Sequence, residues 1–366
     1  MSLLAAARLA WLLGALSLAL TALSLLLLGL TLSQPNTHNY DFWLDCTVGA
    51  ISFAPVGALI AARRPANPVG WLLCLSGAAI SIAHFSAEYA IYALLAQPNS
   101  LPAGQALAWI AYWILPIIVG LLLFSFLLFP NGRLPSRRWK WLAWLTVAFV
   151  IVDVILSAFS FGVDAGLGPI RNPLGIEGFS NAYSVVVSIS PVVYVAVASS
   201  LFVRLHRATG VERQQIKWVV YAVAATLMGT ILAYVIPEVI DTPLWFEWVG
   251  FALNIAVSPA IPVAIAIAIL RYRLYEIDTL INRTLVYGTL TATLALVYFG
   301  GVATTQAIFR AFTGQEGQTQ LAVVVSTLGI AALFTPFRRR IRAFIDRRFY
   351  RSHLEVTSIF EPLSFS

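Results

Sequence analysis

Ten stretches of roughly twenty mostly apolar residues follow one another along this chain, each long enough to cross the hydrocarbon core of a bilayer as a helix. They run approximately over 9–32, 43–62, 69–95, 105–129, 141–160, 183–205, 218–236, 248–270, 285–308 and 320–336. No water is present in that core to satisfy free amides and carbonyls, so such segments must fold as helices. With 60% hydrophobic and 11% charged residues over 366 positions, the chain has too little polar surface for a water-facing globule. The predicted fold is all-α. Residues 1–336 form a polytopic membrane helix bundle of about ten transmembrane helices, and residues 337–366 form a cytoplasmic basic amphipathic helix and tail. The first run, preceded by Arg8, exceeds the length of a signal-peptide core and lacks a small-x-small exit, so it reads as a retained anchor. The tenth is the shortest, squeezed between residues 314–320 and Pro336.

The loops sort by charge. Arg8; Arg63 and Arg64; Arg133, Arg137, Arg138 and Lys140; Arg204, Arg207, Arg213 and Lys217; Arg271, Arg273 and Arg283; and the arginines of 338–351 all fall on one side. Of the 23 Lys and Arg residues, only Arg171 and Arg310 fall on the other. The positive-inside rule then puts both termini of a multi-pass protein in the cytoplasm. The net charge of +7 follows from the same retention of basic residues, and no nucleic-acid partner is expected. Trp71, Trp139, Trp141, Trp218, Tyr272 and Tyr287 sit where spans meet the inner leaflet. The acids lean outward, with Asp41, Asp45, Asp164, Glu177, Glu238, Asp241, Glu247 and Glu316 in outer loops or span ends. Cys46 and Cys74 lie toward opposite faces, too far apart for a disulfide.

Prolines Pro55, Pro116, Pro191, Pro259 and Pro262 fall inside the even-numbered second to eighth spans and suggest hinges. The outer loop 161–182, with Gly and Pro in 166–169 and 172–175, predicts a compact ordered segment. Ionisable groups inside a bilayer are costly and mark candidate sites. His84 and Glu88, four apart on the third span, share one helix face. Asp153 lies about 18 Å along the fifth span, slightly outside the midplane, and Asn254 sits at comparable depth in the eighth. These four form an outward polar pocket for a small ligand, or a set of hydrogen bonds that fix packing. No metal, nucleophile or phosphate-loop signature occurs, so no metal, cofactor or catalytic residue is expected. Asn282 begins a sequon on the cytoplasmic side, where it would not be glycosylated.

After the last span, Phe337, Ile341, Phe344, Ile345 and Phe349 recur at helical spacing opposite Arg338, Arg339, Arg340, Arg342, Arg347, Arg348 and Arg351. This basic amphipathic helix would rest on the lipid bilayer, and could carry a movement of the bundle outward to whatever follows it.

Several stretches taken together, GALI (57–60) with RRPANPVGWL (63–72), LFPNGRLPSRRW (128–139), ILRYRLYEID (269–278) with INRTLVYG (281–288), and RRRI (338–341) with IDRRFYR (345–351), resemble the polytopic membrane region of a group of bacterial sensor histidine kinases. The likeness covers about residues 55–351. It implies a sensory input module of a two-component system, a homodimer, and a basic helix leading into a coiled coil, often a GAF domain, and then the kinase domains. The fifteen residues after Arg351 cannot hold a dimerisation bundle or a nucleotide pocket, and His353 lacks a phosphoacceptor pattern. The expectation is therefore a signal-transduction module without its own catalytic domains, acting through a separate kinase or signalling partner. Two other classes stay open. A small-solute transporter or channel would show inverted repeats and broken helices around a midplane site. An intramembrane enzyme would show a polar catalytic pair on neighbouring helices, whereas His84 and Glu88 share one.

Overall fold

The computed structural model describes residues 3–31, 40–98, 100–161, 167 and 169–270. The ninth and tenth expected spans, the 336/337 domain boundary, the sequon and the basic C-terminal helix lie outside them. Every regular element among the described residues is helical, and eight helices are long and apolar enough to cross a membrane. The chain is thus a multi-pass helical membrane protein.

The elements are α1 (Leu3–Thr31), α2 (Tyr40–Arg63), α3 (Pro68–Ile91), α4 (Gly104–Leu128), α5 (Trp139–Phe159), α6 (Glu177–Arg207), α7 (Gly210–Thr230), α8 (Ile236–Val239), α9 (Leu244–Val257) and α10 (Ala260–Leu270). A π turn, Tyr92–Ala96, extends α3, and a second, Ile231–Val235, joins α7 to α8. Three helices begin six or more residues before their apolar runs, α1 at Leu3 rather than 9 among them. α6 starts at Glu177 rather than 183, with that carboxylate in its first turn where it complements the helix dipole. α7 starts at Gly210 rather than 218, because a helix can run past the hydrocarbon on polar residues such as Gln214 and Gln215. Of the interior prolines, Pro55, Pro116 and Pro191 sit within continuous helices. The eighth span differs: it breaks into α9 and α10 at residues 258–259.

Six helices close a ring in the order α2, α3, α4, α6, α7, α10 and back to α2. Their inward side chains, among them Phe53, Leu73, Leu127, Val197, Ile216 and Ile265, form the main core. α1 lies across α2 and α3, and α5 lies across α4 and α6. Those two helices expose large apolar side chains, including Trp11, Leu26, Trp141 and Trp144, as lipid-facing helices should.

Lipid tails are as apolar as leucine, so helices associate in a bilayer by close packing rather than by hydrophobic exclusion. The α1 face turned inward is accordingly small: Ala6, Ala10, Gly14, Ser17, Thr21 and Ser24 recur at three- and four-residue spacing. Thr21 Oγ1 meets Ser81 Oγ of α3 at 3.1 Å. The α2–α3 crossing is tighter still. A β-carbon at Gly57 would lie 2.2 Å from the Cys74 amide nitrogen, and one at Gly77 would lie 2.4 Å from that of Ala54. Both cysteines are buried free thiols. Since Gly57 marks the level of Cys74 and Cys46 lies eleven residues away on α2, the two stand roughly 16 Å apart along the helices.

The basic loops gather at one end. Asn67 caps α3 by accepting from Val69 N at 3.0 Å, and its Nδ2 donates to Pro130 O at 2.9 Å. Gln215 Nε2 at the start of α7 reaches Ala268 O at the end of α10, 2.7 Å away. At the opposite end, Asn172 is buried and donates to Ala158 O and Ser160 O, both at 2.9 Å. Tyr112 OH donates to Ile170 O at 2.5 Å.

Replacing Gly57 or Gly77 by valine forces two backbones apart and should cost about 2 kcal/mol or more. Gly29→Ala, with open space around its α-carbon, should be silent. Thermal unfolding of the purified chain in detergent distinguishes the two outcomes.

Candidate functional site

Gly70, Gly77 and His84 are spaced by seven and share the α2-facing side of α3. The contacts of Gly70 with Ala61, Gly57 with Cys74, Gly77 with Ala54 and Gly49 with Ile80 fix an antiparallel register. Extended a few residues, that register brings Cys46 and Thr47 level with His84, and Trp43 level with Glu88. His84 is 0% exposed and Glu88 is 2% exposed. His84 Nε2 stands 3.9 Å from Glu88 Oε1, one helical turn along the same face. Neither ring nitrogen of His84 has a hydrogen-bond partner among the described residues, and the same holds for the buried Nε1 of Trp43. Buried donors and acceptors left unmatched are uncommon in folded proteins, so this level of the bundle has polar capacity to spare.

The other side of α2 carries a second polar group. Tyr234 OH donates to Asp45 Oδ2 at 2.8 Å. Asn254 Nδ2 donates to Asp45 Oδ1 at 3.4 Å, and Thr230 Oγ1 lies 3.2 Å from Asn254 Oδ1. These contacts tie α2 to the π turn after α7 and to α9. Cys46, buried next to Asp45 in the chain, is within electrostatic range of both Asp45 and Glu88.

Local sequence explains the π turn that holds Tyr234. Ile236 N–H is bonded to Ile231 O, and Pro237 has no N–H to offer, so neither serves the Leu232 carbonyl. Gly250 of α9 lies against that carbonyl: a β-carbon there would sit 2.6 Å from Leu232 O. A β-carbon at Gly229 would sit 3.0 Å from Asn254 Cα. α7 and α9 therefore cross at two glycines, which positions Asn254, Thr230 and Tyr234 around Asp45. On the same seam, Thr226 Oγ1 reaches Val257 O at 3.4 Å, just before the break in the eighth span.

The four candidates from the sequence thus divide. His84 and Glu88 are neighbours on the α3 side of α2, and Asn254 belongs to the Asp45 group on its other side. Asp153 joins neither. It is half-buried on α5, which packs on α4 and α6, and its electrostatic influence falls on Tyr194 of α6. Asp45, Tyr234 and Thr230 are additions that sequence reasoning missed. Asp45 stands five residues into α2 and reads as a span end, and nothing local to Tyr234 announces a carboxylate partner 189 residues away. Among the described residues no group of His, Cys, Asp and Glu is arranged to hold a metal ion.

No protein-family model matches the chain, and neither a curated protein nor a solved structure matches it. The likeness to sensor histidine kinases accordingly rests on the sequence stretches alone.

If Asp45 and Asn254 are coupled as the geometry places them, a double-mutant cycle of Asp45→Asn and Asn254→Leu should give an interaction of about 0.5–1 kcal/mol, the usual range between membrane helices. Asp153→Asn combined with either should be additive. Unfolding free energies in mixed micelles provide the comparison.

Proposed function

We propose that the chain is the input module of a membrane signalling system, seated in a bacterial inner membrane with its basic end in the cytoplasm. One observation carries the reading: α2 is held between a buried and a partly buried polar group near one end and delivers its other end to the basic loops. On one flank is His84 with unpartnered ring nitrogens beside Glu88; on the other are the hydrogen bonds of Asp45 with Tyr234 and Asn254. A 24-residue helix spans about 36 Å, and α2 is continuous through Pro55. Any ligand or protonation event that alters either flank therefore biases the position of Arg63, Arg64 and the Asn67–Pro130 bond. The sequence likeness to sensor kinases supports the same direction of signal flow. The implied assembly is a homodimer, and the implied recipient is a kinase carried on a separate chain.

A second reading has its own observation. The eighth span is broken at residues 258–259, with Asn254 in the last turn of α9 and beside Asp45. Discontinuous helices next to an intramembrane carboxylate are a common arrangement around transported ions and small solutes.

A chimera with a histidine-kinase catalytic core joined after Arg351, reconstituted in nanodiscs with ATP, separates the two. Asp45→Asn, His84→Gln and Glu88→Gln should each change autophosphorylation about fivefold or more, the lower range of allosteric coupling. Output that ignores all three substitutions, together with solute flux through proteoliposomes of the unfused chain, would establish the transport reading instead.

A further inference from the structure

The stretch LFPNGRLP at the end of α4 takes no part in either polar group, yet it forms one wall of a cleft at the basic end. The cleft has a volume of about 490 Å³ and is lined by Asn131, Arg133, Leu134, Arg204, Arg207 and Glu212, among others. We propose that it binds the phosphate of an anionic phospholipid headgroup.

The cleft is shaped by the way α4 stops. Phe129 N donates to Ser125 O at 3.0 Å, and Gly132, at φ +72°, returns its amide to Leu128 O at 2.7 Å. A left-handed glycine of this kind turns the chain sharply at a helix end. The turn brings Arg133 against the last residues of α6. The carbonyls at a helix C-terminus lack intrahelical donors, and Arg204 supplies one: its Nη2 donates to Leu127 O at 2.8 Å and also to Arg133 O. That pair of bonds fixes the guanidinium in place. Its Nε is buried and has no hydrogen-bond partner among the described residues.

Three guanidiniums thus line one cleft, with Arg204 anchored and half-buried and Arg133 and Arg207 exposed around it. The opposing charge is the single carboxylate of Glu212, which accepts from Asn131 Nδ2 at 3.4 Å. The remaining balance is positive and suits a phosphate, which accepts charge-assisted hydrogen bonds from several arginines at once.

The surroundings favour a lipid over a free phosphate ester. Val203 lines the cleft, and Phe202, on the preceding position of α6, is 61% exposed. Trp141 of α5, two residues beyond the basic loop, is 82% exposed. A headgroup bound here would have apolar surface alongside for its acyl chains, and basic pockets between helices at a membrane surface recognise anionic headgroups.

The test is thermal unfolding of the full chain in detergent, titrated separately with phosphatidylglycerol, phosphatidylcholine and inorganic phosphate. Phosphatidylglycerol should raise the melting temperature saturably, while phosphatidylcholine and inorganic phosphate at equal concentration should not. The pair Arg133→Gln and Arg207→Gln should weaken the phosphatidylglycerol midpoint roughly thirtyfold, the effect of two surface arginines. The pair Arg137→Gln and Arg138→Gln, exposed on the same loop and outside the cleft lining, should leave the midpoint unchanged. Equal response to both lipids, or equal loss in both arginine pairs, overturns the site. Stabilisation by inorganic phosphate as large as that by phosphatidylglycerol overturns the lipid assignment. If the Arg133 and Arg207 pair does not fold, Glu212→Gln decides the matter: removing the opposing carboxylate should tighten phosphatidylglycerol binding, and weakening counts against the proposal.

Discussion

Everything in this molecule follows from the absence of water around its backbone. A peptide group in hydrocarbon must find its partner within the protein, so helices form wherever an apolar run is long enough. Polar side chains in those helices obey the same rule. Ser17, Thr21, Ser24, Ser76, Thr146 and others donate back to the carbonyl four residues earlier, which leaves them harmless inside an apolar helix. The groups that do not resolve themselves locally are few. Some of them join helices to one another, as Asp45 does with Tyr234 and Asn254, and others, His84 among them, have no hydrogen-bond partner among the described residues.

α2 is the element on which those joins converge. Glycines and alanines bring it against α3 and α1 along much of its length, where no side chain has room to move independently. Toward its N-terminal end the packing changes character: aliphatic contacts give way to His84 and Glu88 on one flank and to the Asp45 group on the other. Toward its C-terminal end it runs into the turn that Asn67 ties to the end of α4. Under the proposed signalling reading, a helix so placed would pass displacement on, since tightly packed interfaces switch between discrete arrangements instead of deforming smoothly.

The positions of the first eight spans were legible in the sequence because length and hydropathy alone decide them, and the gathering of the basic loops among the described residues followed from alternation of direction. That His84, Glu88 and Asn254 lie within helices long enough to span was legible for the same reason. Which of these residues meet was not. Asp153 shares the chemistry of its fellow candidates but is carried by α5, which packs outside the ring on α4 and α6. Asp45 looks like a span end from its position, yet its carboxylate is engaged by Tyr234 and Asn254, far along the chain. The π turn under Tyr234 arises from Pro237 acting several residues downstream, an effect that periodicity does not register. The early starts of α6 and α7 escaped for a simpler reason: hydropathy marks where the membrane stops, and a helix need not stop with it.

The break between α9 and α10 bears on how the chain is built. At 14 and 11 residues, each half is shorter than the roughly 20 needed to cross a bilayer. Neither can be threaded into the membrane as a separate event, so the two must be delivered together. Near the break, Val257 O receives Thr226 Oγ1, and at the far end of α10 Ala268 O receives Gln215 Nε2, both from α7. This span therefore acquires its full set of partners only against an α7 already in place. The stability of this crossing is thus tied to α7, which supplies one side-chain donor at the break and another at the far end of α10.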